Sequence, residues 1–104
     1  MSERLVCTAK LWRWTGGKAA VSWHFLTIGG EAGEALSATA LMRRLEGLGR
    51  GFGFLKVTAT IGSSQWQTSV FPLREDGWML PVKAAVRKAE ALGEGDEVEV
   101  VLEV

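Results

Sequence analysis

Among the side chains able to do chemistry, two types occur once each in this 104-residue chain, Cys7 and His24. A zinc site needs several Cys, His or carboxylate ligands brought together, and no acidic cluster has the spacing of a calcium loop. A nucleophilic triad needs a base. His24, the only imidazole, lies between Trp23 and Phe25 in a strand-like segment, which reads as a packed structural histidine. Gly47-Leu48-Gly49-Arg50-Gly51-Phe52-Gly53 is glycine-rich. It precedes a strand and lacks a Gly-Lys-Ser/Thr ending, so it reads as a connector and not a phosphate loop. The expectation is a non-catalytic chain with no metal and no cofactor.

Residues suited to binding are better represented. Trp66 offers stacking area, Thr68 and Ser69 offer hydroxyls, and Arg74, Lys83 and Arg87 offer charge for an anionic moiety. These six are the candidate ligand residues. Lys83 and Arg87 fall with Glu90 on one face of a helix-like segment. The competing reading pairs Arg74, Lys83, Arg87 and Lys88 with the acidic end of the chain in surface ion pairs worth about 0–1 kcal/mol each. Trp12 and Trp14 share the parity opposite to Leu5, Cys7 and Leu11. They suit a stacking platform, the second face of a barrel under a helix, or the interface of a homodimer.

The elements that position these residues follow from periodicity. Arg4–Trp14 alternates as a strand with Leu5, Cys7, Ala9 and Leu11 inward, which makes Cys7 a buried, inert thiol. Thr15-Gly16-Gly17-Lys18 turns the chain into a second strand, Ala19–Ile28, with Val21, Trp23 and Phe25 on one face. Glu31–Leu48 reads as a helix burying Ala38, Leu41, Leu45 and Leu48, with Ser37 an alternative cap. A second hairpin has Leu55, Val57, Ala59 and Ile61 inward, a Gly62-Ser63-Ser64 turn, and a return strand to Leu73 carrying Trp66, Thr68 and Val70 on one face. Pro72 marks a strand end.

After a Glu75-Asp76-Gly77 turn, Trp78-Met79-Leu80 is a short strand. Pro81 opens a helix reaching Leu92 that buries Val82, Val86 and Ala89, and Gly93 takes the left-handed cap position. In the closing strand Val98, Val100, Leu102 and Val104 alternate with Glu97, Glu99 and Glu103.

Composition sets the class. The chain is 47% hydrophobic and 23% charged, which excludes a disordered segment and suits one globular domain spanning 1–104. No apolar run is long enough to cross a membrane as a helix, and the start lacks a signal-peptide core. One cysteine suits a cytoplasmic setting. Twelve basic and twelve acidic residues balance, which argues against global attraction to nucleic acid or membrane. The distribution is uneven, however. Residues 1–42 carry four basic and three acidic groups (+1), 43–88 eight and three (+5), and 89–104 six acidic and none basic (−6).

Three runs carry a resemblance: Gly51-Phe52-Gly53-Phe54-Leu55-Lys56-Val57, Trp66-Gln67-Thr68-Ser69-Val70-Phe71-Pro72, and Leu80-Pro81-Val82-Lys83-Ala84-Ala85-Val86-Arg87-Lys88-Ala89 followed by Gly95-Asp96-Glu97-Val98. Their order is similar to the domain-of-unknown-function family numbered 1905. That resemblance implies a small split β-barrel, a bacterial cytoplasmic setting and no assigned activity. Some members are fused to a domain named for bacteriocin protection. More loosely, Leu80-Pro81, the helix with Val86-Arg87-Lys88-Ala89, and Gly95-Asp96 before an alternating strand resemble the AbrB/MazE swapped-hairpin group, which implies a dimeric DNA-binding regulator.

The expected fold is mainly β: a small split barrel of about six strands with two short helices. The expected function is a binding or interaction module for an unidentified small molecule or protein. A dimeric, nucleic-acid-binding regulator is the alternative, and an enzyme acting on an anionic substrate through His24 ranks last.

Overall fold

Six strands and two helices are seen in the computed structural model, which describes residues 3–16, 21–47, 53–74 and 77–104. The elements are β1 (Arg4–Gly16), β2 (Val21–Ile28), α1 (Gly30–Leu45), β3 (Leu55–Ile61), β4 (Ser64–Pro72), β5 (Trp78–Pro81), α2 (Ala84–Ala89) and β6 (Glu97–Glu103). The strands close into an antiparallel barrel in the order β1-β2-β5-β4-β3-β6, so the mainly β, six-stranded, two-helix expectation holds. Closure gives every strand a neighbour on both sides over at least part of its length.

Two strands are shared between two sheets. Arg4–Lys10 of β1 pairs with β6, whereas Leu11–Gly16 pairs with β2. Likewise β4 pairs with β3 over Ser64–Val70 and with β5 at Phe71 and Pro72. The barrel is therefore split where each shared strand passes from one sheet to the other. A helix follows the neighbouring strand at each split. After β2, α1 packs against β1; after β5, α2 ties its far end to the start of β4 through Glu90, which accepts from Ser64 Oγ at 2.7 Å. The first helix has 16 residues and the second six.

Alternation fills the interior. Leu55, Val57, Ala59 and Ile61 of β3, Trp66 and Val70 of β4, and Val98, Val100 and Leu102 of β6 are buried in one cluster with Leu5, Leu11 and Leu80. Pro72 ends β4 as a residue without an N–H should.

On β2, Trp23 and Phe25 share one face, as expected, and it is the outer one, with Leu26 and Ile28 buried on the other. Phe25 stacks on Trp12 across β1–β2 at 4.9 Å between ring centroids, and the Trp12 indole donates to Thr27 Oγ1 at 2.9 Å. Four expectations are corrected. Helix α1 buries Ala32, Gly33 and Leu36 and leaves Ala38, Leu41 and Leu45 exposed. The reason is close packing: a Cβ on Gly33 would stand 2.7 Å from the Ile28 carbonyl oxygen. The helix can pass this near β2 only on its glycine side.

Pro81 ends β5 instead of opening a helix, and Lys83 is the N-cap of α2. Of the residues expected inward on that helix, Val82 and Val86 are buried while Ala89 is exposed. The left-handed position after α2 is Ala91 (φ 55°), not Gly93. Leu92 N–H reaches Arg87 O at 2.8 Å and Ala91 N–H reaches Lys88 O at 3.4 Å, the two bonds of a Schellman cap.

Gly17-Lys18, Ala19-Ala20, Leu48 to Phe52 and Glu75-Asp76 lie outside the described residues, so the turn and connector expectations there are not addressed. Cys7 is half-buried on the inner parity of β1, and burial pushes its thiol pKa up. No helix among the described residues is long and apolar enough to cross a membrane.

Candidate functional site

The split beside β4 is only partly covered, because α2 is short. What remains is an open cleft of about 470 Å³. One wall is β4, where Trp66, Gln67, Thr68 and Ser69 all line it, together with Phe71. Four consecutive residues lining one wall mark a strand edge, since a strand face presents every second residue. The opposite wall is Trp23 and His24 of β2, and Pro81, Val82 and Lys83 run between the walls.

Of the six residues expected to bind, Trp66, Thr68, Ser69 and Lys83 meet in this cleft. Arg87 lies one side chain away, against His24. Arg74 is exposed and not among the lining residues. Trp66 is 7% exposed and belongs to the floor, while Trp23 at 52% and Phe71 at 39% are the accessible aromatic surfaces. Trp23 and Phe71 were not among the residues expected to bind: alternation put Trp23 on one face of its strand with Phe25, and nothing in the sequence marks where β2 outruns β5.

His24 has a defined hydrogen-bonding state. Its backbone carbonyl accepts from Val82 N–H at 2.9 Å, binding β2 to the segment before α2. Arg87 Nε donates to Val82 O at 3.2 Å, and Arg87 Nη1 stands 3.5 Å from His24 Nε2. A guanidinium can only donate, so Nε2 is the acceptor and the neutral ring carries its proton on Nδ1. Burial, then Arg87 and Arg13, hold the imidazole below its ordinary pKa of 6.5, with Glu94 opposing them. The ring is therefore neutral at pH 7. Its Nδ1 is buried and has no partner, and an unpaired buried donor costs about 1–3 kcal/mol.

The basic groups are not consumed by the acidic strand. In register, Lys10 lies opposite Glu97 and Arg4 opposite Glu103, so β1 is the strand that answers β6. Among the described residues the ion pair within 4 Å is Arg13–Glu94 at 3.9 Å, both side chains exposed. Glu90 turns away from Lys83 and Arg87 to Ser63 and Ser64. A second, smaller groove of about 340 Å³ lies between Lys56, Gln67 and Glu103; its charges are mixed. Among the described residues no three His, Cys, Asp or Glu side chains form a metal-binding group.

The model of the family described as Domain of unknown function (DUF1905) matches residues 8–102. No curated protein matches the chain. The match spans most of the sequence, from β1 through β6, and the chain belongs to that family.

Proposed function

We propose that this DUF1905 chain is a non-catalytic binding module whose small-molecule ligand occupies the cleft between β2 and β4. The observation that carries the reading is convergence. Residues distant in sequence, from Trp23 to Lys83, line one concave site that combines accessible aromatic rings with hydroxyls and an unspent cation. That combination is what ligand sites need: apolar area for affinity and a few polar groups for orientation. A bacterial, cytoplasmic setting belongs to the same proposal and rests on the family resemblance and the single cysteine.

The DNA-binding alternative asks for one continuous basic face. Here Arg43 and Arg44 are on α1, Lys56 on β3, and Arg87 and Lys88 on α2. β6 pairs with β1 and β3 of its own chain. Both features weigh toward the small-molecule reading. Dimerisation, if part of the function, has its best surface at Trp14 and Trp23, which face each other across β1–β2 at about half exposure.

A fragment screen read by amide and indole NMR tests the proposal. Shifts should cluster on Trp23, His24, Thr68, Ser69 and Phe71, and Arg87→Ala should weaken the hits while the fold is retained. Shifts confined to the Lys56–Glu103 groove, or salt-sensitive binding of duplex DNA with no fragment in the cleft, would overturn it.

A further inference from the structure

We infer that the ligand of this cleft is a short peptide held in extended form, which adds to the open edge of β4 as a further strand and sets an apolar side chain between Trp23 and Phe71. The inference rests on the cleft being a ligand site and adds the chemical class of the ligand. β5 lies between β2 and β4, pairing Pro81 with Phe25 and Met79 with Phe71. Both neighbours run on past its end, β2 back to Val21 and β4 back to Ser64. Leu73 N–H bonds the Gly77 carbonyl at 3.0 Å, so by alternation the next bonded pairs are Phe71 with Met79 and Ser69 with Pro81. Proline has no N–H to give the Ser69 carbonyl, and the pairing stops there. Val82 still reaches the His24 carbonyl on β2, after which the chain leaves for α2 through its N-cap, Lys83. Beyond that point the cleft takes the place of a strand between β2 and β4.

The same alternation identifies the open groups of β4. Its hairpin with β3 turns in two residues, Gly62 and Ser63, so Ile61 and Ser64 close it as a bonded pair. Every second residue from Ser64 then bonds to β3. Gln65, Gln67 and Ser69 turn their N–H and C=O groups the other way, to the side on which Phe71 meets β5. Gln67 is exposed and lines the cleft, and among the described residues nothing bonds its main chain on that side. An unpaired row of this kind accepts another extended chain. From Trp66 to Ser69 the wall is about 10 Å long at about 3.4 Å per residue, which suits about four peptide residues.

The surroundings choose the occupant. The edge is recessed, with β2 as the opposite wall. A second folded copy would have to bring its own walls in with its edge, whereas a single free strand brings none. Trp23 and Phe71, the accessible rings, flank the slot from β2 and β4 and offer apolar area to every second side chain of an added strand. Lys83 is exposed and no carboxylate is among the lining residues, which disfavours a basic peptide.

The test uses the full chain and the capped tetrapeptide Thr-Phe-Thr-Val, with its fully N-methylated form and Thr-Lys-Thr-Val as controls. In the free chain the Gln67 amide should exchange with deuterium quickly, while those of Trp66 and Thr68, bonded to β3, exchange slowly. The peptide should slow Gln67 exchange and shift the Trp23 indole signal. N-methylation removes the peptide's donors and keeps its side chains, so binding should weaken at least about tenfold, the loss of two or more bonds. The lysine peptide should bind more weakly than its parent. Gln67→Pro removes the open N–H without touching the β3 ladder, so the amide spectrum should be kept while peptide binding falls severalfold.

Equal binding by the N-methylated peptide, binding that leaves Gln67 exchange unchanged, or a folded Gln67→Pro that binds as the wild type would overturn strand addition while leaving the cleft a ligand site. So would fragments in the cleft with no binding by the tetrapeptide. Equal binding by the lysine peptide would overturn the apolar, non-basic assignment. Gln67 protection in the free chain that is lost on dilution would put a second copy on the edge in place of a peptide. An empty fragment screen together with no peptide binding would remove the cleft reading itself.

Discussion

Trp78 and Ser37, 41 residues apart in sequence, are joined by a hydrogen bond of 3.0 Å from the indole Nε1 to Oγ. This bond fastens β5 to the middle of α1 and turns Ser37, an attractive N-cap in the sequence, into a cross-element acceptor inside the helix. Ser37→Ala should cost about 1 kcal/mol or somewhat more, because the partly buried indole N–H loses its acceptor. Trp78→Phe removes the same bond, so in urea melts the Ser37→Ala step should cost much less in that background. Equal costs in both backgrounds would mean the bond contributes nothing.

The His24 environment sets a pH dependence of stability. Burial, Arg87 and Arg13 lower its folded pKa below 6.5, so the unfolded chain binds protons that the native state refuses. This contribution is fully present above pH 6.5 and is lost as pH falls through the lowered native value. Urea melts of the wild type between pH 5 and 8 should show stability rising with pH, and His24→Gln should flatten that slope. In Arg87→Gln the imidazole titration, followed by NMR, should move back toward 6.5.

Ala91 holds the left-handed position of the α2 cap, where an L side chain costs about 1–2 kcal/mol. Glycine removes that cost but gives up about 0.5–1 kcal/mol of unfolded-state entropy. Ala91→Gly should therefore stabilise the chain by about 0.5–1 kcal/mol, seen as a higher urea midpoint with an unchanged slope. A destabilised variant would show that the strain is relieved elsewhere.

The packing of α1 makes opposite forecasts for two of its leucines. Leu36 is fully buried, so Leu36→Ala should cost about 2–5 kcal/mol. Leu45 is 74% exposed, and Leu45→Ala should change stability by no more than about 0.5 kcal/mol. Calorimetric melting of the two variants decides which helical face meets the barrel.

These two leucines also show where sequence reading succeeds and fails. Period-two alternation located β3, β4 and β6 and their inward residues, because a strand buried on one face writes its environment into every second position. For α1 the same logic chose the wrong face. GEAGEALSATALMRRL is apolar on more than one side, and the residue that meets β2 most closely, Gly33, has no side chain to register in a hydrophobic pattern. On β2 alternation grouped Trp23 with Phe25 but did not say which side faced in, because two rings on an outer face can shelter each other, as Trp12 and Phe25 do. The cleft was legible in part. Trp66, Thr68 and Ser69 stand together in the sequence, but their meeting with Trp23 and His24 depends on β5 stopping short at Pro81, a matter of strand length in three dimensions.

The barrel's remaining seam joins β1 to β6, with Arg4 opposite Glu103 and Lys10 opposite Glu97. In folding, that seam is an appointment between the earliest strand and the latest. The β1–β2 and β3–β4 hairpins are local and can form on the microsecond scale, but β1 has no β6 to receive it until nearly all of the chain is present. The slow step is then a long loop closure, which topology penalises in rate far more than in final stability. Until it is complete, the inner side of β1, with Leu5, Cys7 and Leu11, waits uncovered beside an open edge, and that interval is when a nascent chain is most open to capture by a neighbour.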